Sequence, residues 1–269
     1  MKNTFSIVLT GTLVLVSLGA LCIPPTPLST DQTVQNNSPE TSSAPTWNFD
    51  ETKWRAVGEV PDCPEPLQIE SPTDISQATS ILYPGQTRGG NYKPHGGFRF
   101  DGLENDQVSV LAPFDAYVVD GARYLAEGEF QYTFDFIAPC GLMYRIGHLY
   151  TLTPEFQALA EQFTPAQEGQ SQTQFIEPPV LVTAGTTIAT AVGVTANTNT
   201  FFDFGVYDLR QKNAASKNST WAAEHTDDNI LAPYAICWFD LLPTPDAKQV
   251  WSLPPGDPTS GTNSDYCQK

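Results

Sequence analysis

From Trp47 to Cys267 the chain is a succession of short β-rich runs separated by Gly, Pro and Asp, with no internal repeat and no second linker. Such punctuation leaves little room for long helices, because Pro lacks an N–H and Gly gives up the most backbone freedom. The stretch has the length of a single domain. Its runs predict strands over Gly97–Asp101, Val108–Ala112, Ala116–Ala122, Phe130–Ile137, Leu142–His148, Val180–Val182, Thr186–Val194 and Phe201–Leu209. The expected fold class is therefore mainly β, an antiparallel sheet or sandwich with one short helix and long loops. The helix starts at Pro154, where Thr153 suits the cap and Glu155 meets the positive end of the dipole. Phe156, Leu159, Ala160 and Phe163 give it an apolar stripe to lay on the sheet. Thr164–Pro179, polar and Gln-rich, reads as a surface loop.

The N-terminus reads as an address. Lys2 precedes an apolar run from Phe5 to Leu18 and the small pair Gly19-Ala20, which together predict an export signal over residues 1–21. The run falls short of the roughly 20 residues of a spanning helix; an uncleaved anchor and lipidation at Cys22 stand as alternatives, although Leu21 does not suit a lipobox. Residues 22–46 are rich in Pro, Ser, Thr, Asn and Gln, cannot bury enough surface to offset chain ordering, and read as a tether. The folded part is expected to span residues 47–269. Beyond Cys22 four cysteines remain, Cys63, Cys140, Cys237 and Cys267, and in an exported chain an even number predicts two disulfides. Zinc ligation is the rival, without a CxxC spacing to support it, and three pairings are open. A net charge of -17 argues against nucleic acid, whose phosphates demand a basic surface. Contact with a membrane is expected only through the N-terminus, in a secreted or extracytoplasmic protein.

Strand alternation singles out two segments. In His95–Asp101, Phe98 and Phe100 share one face while His95, Gly97, Arg99 and Asp101 share the other. In Phe201–Asp208, Phe202, Phe204 and Val206 share one face, and Phe201, Asp203, Gly205 and Tyr207 the other. The apolar faces are expected in the core and the polar faces in a common groove.

Four pieces in order resemble the core of lysostaphin-type (LytM-like) zinc peptidases: HGGFRFD from His95, VSVLAPFDAYVV over Val108–Val119, MYRIGHL over Met143–Leu149, and Val182–Asp208 with VTAGTTIATAVG and TFFDFGVYD. The resemblance covers about residues 87–209. It implies a β domain that cuts peptide cross-links of peptidoglycan with one zinc held by a His, an Asp four residues later, and the second His of a His-x-His pair. Here His95 matches the first ligand, Arg99 stands at the Asp and Asp203 at the second His. Of the family's two further histidines one falls on His148 and the other on Phe201. A guanidinium stays protonated and offers no lone pair to a metal, so an Arg99–Asp203 ion pair is expected in the vacated position. No cofactor is then expected.

The resemblance implies an exported domain without peptidase activity that binds a cell-wall or envelope polymer, or regulates a hydrolase partner. Its alternative is an active zinc enzyme with a rearranged site of His95, His148 and Asp203, His148 being catalytic and Asp101 a further candidate. A purely structural extracellular module is a third. Tyr92, Phe201 and Tyr207 are the expected groove aromatics, and His225 reads as an inert loop residue.

Overall fold

A computed structural model describes residues 46–164, 167–226 and 229–268. The export signal, Cys22 and the tether up to residue 45 lie outside them. Thirteen strands are seen: β1 Thr46–Phe49, β2 Trp54–Val57, β3 Ser80–Leu82, β4 Gln86–Arg88, β5 Asn91–Lys93, β6 Gly96–Arg99, β7 Val110–Leu111, β8 Ala116–Ala126, β9 Glu129–Ile137, β10 Leu142–Leu152, β11 Gln174–Val182, β12 Thr187–Val192 and β13 Phe201–Asp208. Helices α1 Pro154–Ala160, α2 Ser219–His225 and α3 Thr244–Ser252 complete the regular structure. Among the described residues three short α-helices thus stand where one was expected, and the mainly β class stands.

The main sheet runs β11-β8-β9-β10-β13-β6-β3, with β12 pairing both β10 and β7, and every one of these pairings is antiparallel. Its inner face follows the alternation of the sequence. Phe98, Phe134, Phe136, Tyr144, Ile146, Phe202 and Phe204 are fully buried there, with Trp238 and Phe239 in the same cluster. Burial of each such side chain contributes roughly 1.5–3 kcal/mol. Helix α1 lies on it as expected: the Phe156 ring meets Phe134 at 5.3 Å and Phe136 at 6.0 Å. Thr153 occupies the cap position, but its hydroxyl donates to the Ile188 carbonyl at 3.3 Å rather than closing the helix end.

The predicted loop Thr164–Pro179 is corrected in its second half, where Gln174–Val182 forms β11. That strand sits at the edge of the sheet, the position in which Pro178 and Pro179 withhold no ladder donor from a second neighbour.

Two disulfides, Cys63–Cys140 and Cys237–Cys267, resolve the four cysteines. They fit an extracytoplasmic location. Among the described residues no helix is long and apolar enough to cross a membrane.

One end of the sheet's outer face is covered by a second apolar cluster. There Ile137, Met143 and Tyr207 pack with Leu231, Tyr234 and Ala235 and with Trp47, Phe49 and Trp54 of the β1–β2 hairpin. Beyond that cap the same face carries the buried polar residues Gln131, Thr133 and Asp135, and it holds the candidate site.

Candidate functional site

Ladder register lines the polar residues up in rungs. Asp120 on β8 faces Asp135 on β9, Asp135 faces Arg145 on β10, and Arg145 faces Gly205 on β13. In the next rung Gly147 of β10 faces Asp203, and Asp203 faces Gly97 of β6. Glycine at 97, 147 and 205 lets neighbouring groups close in around the Asp203 carboxylate, and all three glycines are buried. Gly205 is a steric requirement: a Cβ there would stand 2.7 Å from Tyr207 Oη and 2.8 Å from His95 Cβ.

His95 precedes β6 and His148 lies in β10, and both reach Asp203. His95 Nε2 lies 3.2 Å, and His148 Nε2 3.6 Å, from Asp203 Oδ2. Strict alternation would send His148 into the core beside Ile146. Instead the β9–β10 register slips between Ile146 and Leu149, and His148 adopts φ +58. Left-handed backbone is uncommon for a non-glycine residue and collects at functional positions, while such slips re-aim side chains. The imidazole is thereby turned to the groove, 4.5 Å from the Phe201 ring and 6.2 Å from Tyr124.

The cluster has a definite charge logic. Burial opposes ionisation of Asp203, but the two histidines outweigh it and hold its carboxyl well below the usual range. Burial lowers the pKa of His148, against the pull of Asp203 and with a further push from His95. Each histidine directs Nε2 to the carboxylate, and both Nδ1 atoms are buried without a hydrogen-bond partner among the described residues. Arg88 secures the arrangement from behind, donating to the His95 carbonyl at 3.0 Å and to the Tyr83 carbonyl at 2.6 Å. Nothing in the residues marked Arg88 beforehand; only its place beside the Gly89-Gly90 turn, which folds β4 back on β5, hints that it is held.

One rung away, Arg145 grips Asp135 through two bonds, 2.6 Å from Nε and 2.5 Å from Nη2. Burial works against the Arg145 cation, but Asp135 outweighs it and raises its pKa. Asp120, facing Asp135, has no such partner: burial, aided by the Asp135 charge, pushes it up to about 6. This acidic rung was not foreseen, although the Asp120, Asp135 and Arg145 positions all fall on the face opposite the aromatic core.

Several expectations are corrected. Arg99 does not pair with Asp203. Its strand partner is Phe201, and its Nη2 donates to Asp101 at 3.2 Å and to Asn199 at 3.1 Å. Asp101 lies past the end of β6, largely exposed, and also accepts from the Thr79 hydroxyl at 3.3 Å, so it is no member of the cluster. Tyr207 is fully buried and presents no ring to the groove, whereas Phe201 is partly exposed beside His148. Tyr92 and His225 stack on each other in a separate cleft.

The zinc set that the resemblance implies does not fit these residues. Arg99 cannot ligate, and among the described residues no group of three or more His, Cys, Asp and Glu side chains is arranged to hold a metal ion. No known family, curated protein or solved structure matches the chain.

Proposed function

We propose that the chain is an exported, lysostaphin-peptidase-like domain whose groove binds a cell-wall or envelope polymer without cleaving it. The observation that supports this reading is the arrangement around Asp203. Its carboxylate is engaged by His95 and His148, while the residue at the would-be ligand position, Arg99, is turned to Asp101 and Asn199. Phe201 offers a partly exposed apolar edge, and Asp203 with its histidines offers charge and hydrogen bonds. Secretion is supported by the two disulfides and by the N-terminal signal pattern.

A second reading, a zinc peptidase with a rearranged site, is favoured by the convergence of both imidazoles on one carboxylate oxygen. It requires the cluster to open around an ion. Metal analysis of the purified protein, together with sedimentation and cross-link cleavage on insoluble peptidoglycan, separates the two. The first reading expects no stoichiometric zinc, no cleavage, and co-sedimentation weakened by Phe201→Ala. One zinc per chain with activity abolished by chelation establishes the second. Restoring both ligands, Arg99→Asp with Asp203→His, is expected to create zinc affinity, since the two positions share a face of adjacent strands.

A further inference from the structure

We infer a second binding site, a saccharide cleft built by the β4–β5 hairpin, α2 and the C-terminal segment. It encloses about 500 Å³ and lies apart from Asp203. The chemistry of its wall identifies the ligand class.

Its aromatic wall is fixed before any ligand arrives. Tyr92 stacks on His225 with centroids 3.9 Å apart and planes at 12°, and Trp221 meets both edge-on at 5.8 and 5.2 Å. Asp265 ties the wall from the far side, accepting from Tyr92 Oη at 2.8 Å and from Trp221 Nε1 at 2.6 Å. The Cys237–Cys267 disulfide anchors the segment carrying Asp265. Gln86, buried, closes the floor by donating to the Gly261 and Asn263 carbonyls. A wall held in this way loses little freedom on binding.

The rim supplies the specificity. Thr87 and Thr220 hydroxyls and the Asn263 side-chain amide line the cleft, and none of the three makes a side-chain hydrogen bond among the described residues. The Asn218 carbonyl oxygen caps α2 by accepting from Thr220 and Trp221 N–H groups, which leaves its NH₂ free. Neither Lys nor Arg lines the cleft, and Glu224 and Asp265 do. Anionic ligands such as phosphates are therefore repelled. An apolar ligand would strand hydroxyls and amides in a closed contact. A neutral sugar satisfies both conditions: an apolar ring face to lie on an aromatic wall and equatorial hydroxyl or acetamido groups to meet hydroxyl and amide partners. His225 Nδ1, buried and without a partner among the described residues, adds an unfilled position at the back of the cleft.

The site also bears on the groove, because the β4–β5 hairpin serves both: Arg88 of β4 holds the His95 carbonyl, and Tyr92 of β5 forms the cleft wall. Identifying the sugar with a strand of wall polymer rests on the proposed function; the cleft's preference for a neutral saccharide does not.

The test is titration of the intact mature protein with tetra-N-acetyl-chitotetraose and cellotetraose, followed by tryptophan fluorescence and calorimetry. Saturable binding of at least one sugar below about 1 mM is expected. Asn263→Ala with Thr220→Val, both at the rim, should weaken it at least tenfold while leaving the melting temperature unchanged; Tyr92→Ala should abolish it. Asp203→Asn and Phe201→Ala should leave oligosaccharide binding intact, and if they alone abolish sedimentation with peptidoglycan the groove and the cleft are separately established. No saturable binding of either sugar, binding undiminished by the rim substitutions, or equal affinity for a cross-link peptide overturns the proposal.

Discussion

Asp203 and His95 meet across the β13–β6 pair, Oδ2 to Nε2, at 3.2 Å. Because His148 approaches the same oxygen at 3.6 Å, the carboxylate is the hub of the cluster, and Arg99 is an independent surface residue. Asp203→Asn removes the charge from two half-buried imidazoles and should destabilise the fold by about 1–3 kcal/mol. Arg99→Ala removes the contact to the largely exposed Asp101 and the hydrogen bond to Asn199 and should cost less, about 1 kcal/mol or below. Chemical denaturation of the two variants checks the contrast; an Arg99→Ala as damaging as Asp203→Asn would restore the ion pair that the register excludes.

The same cluster sets an acid limb. A histidine whose folded pKa is depressed favours the neutral form, so its contribution is full above the unfolded value of about 6.5 and is lost as pH falls through the lower folded value. His148 follows this pattern. Asp203, also depressed, adds a contribution that is full above about 4 and is lost as pH falls further. Stability should therefore fall in two stages on acidification. His148→Gln should flatten the stage just below pH 6.5 and leave the second, as read from melting temperatures across the range.

Asp120 has the opposite sign. Its folded pKa is raised to about 6 by burial and by Asp135, so its contribution is full below about 4 and is lost as pH rises through 6. Asp120→Asn, which keeps the shape and removes the charge, should stabilise the protein at pH 8 by about 1 kcal/mol after allowing for partial solvent screening, or a melting temperature some 2–4 °C higher. Near pH 4 the gain should vanish. A substitution that destabilises at pH 8 would show that Asp120 is an accepted partner of Arg145.

Period-two alternation made the two segments around His95 and Asp203 legible, with Phe98, Phe202 and Phe204 inside and His95 and Asp203 outside. It could not give the partner of Arg99, because that depends on register: one residue pair decides whether the guanidinium faces Asp203 or Phe201. His148 was placed in the groove by resemblance, yet alternation alone would have sent it inward; only its left-handed backbone turns it back, and no local residue type announces that conformation. Of strand β11 only Val180–Val182 was legible; its first part, residues 174–179, was hidden by Pro178 and Pro179, which are compatible with a strand only at an edge. The aromatic cleft was illegible for a different reason. Tyr92, Trp221 and Asp265 are far apart in sequence, and His225 looked like a lone polar residue until α2 and the C-terminal segment brought it against Tyr92.

The two disulfides should prove unequal in consequence. Cys63–Cys140 ties the segment before the sheet to the turn between β9 and β10 across 77 residues, and Cys237–Cys267 closes 30 residues. Chain-entropy reasoning assigns about 3.5 kcal/mol to the shorter loop and about 4.5 kcal/mol to the longer. Replacing Cys63 and Cys140 by Ser should therefore lower global stability without altering the cleft. Replacing Cys237 and Cys267 should lower it comparably and also release Asp265 and Tyr266, loosening the bonds that Asp265 makes with Tyr92 and Trp221. The fluorescence of Trp221 reports that release, since its indole N–H would exchange a carboxylate for water. Hydrogen exchange across residues 218–225 and 260–268 should rise in the second variant and stay unchanged in the first. Equal protection of those residues in both variants would show that packing, rather than the disulfide, holds the cleft wall. Thiol titration of the unmodified protein should find none of the four cysteines reactive without reductant.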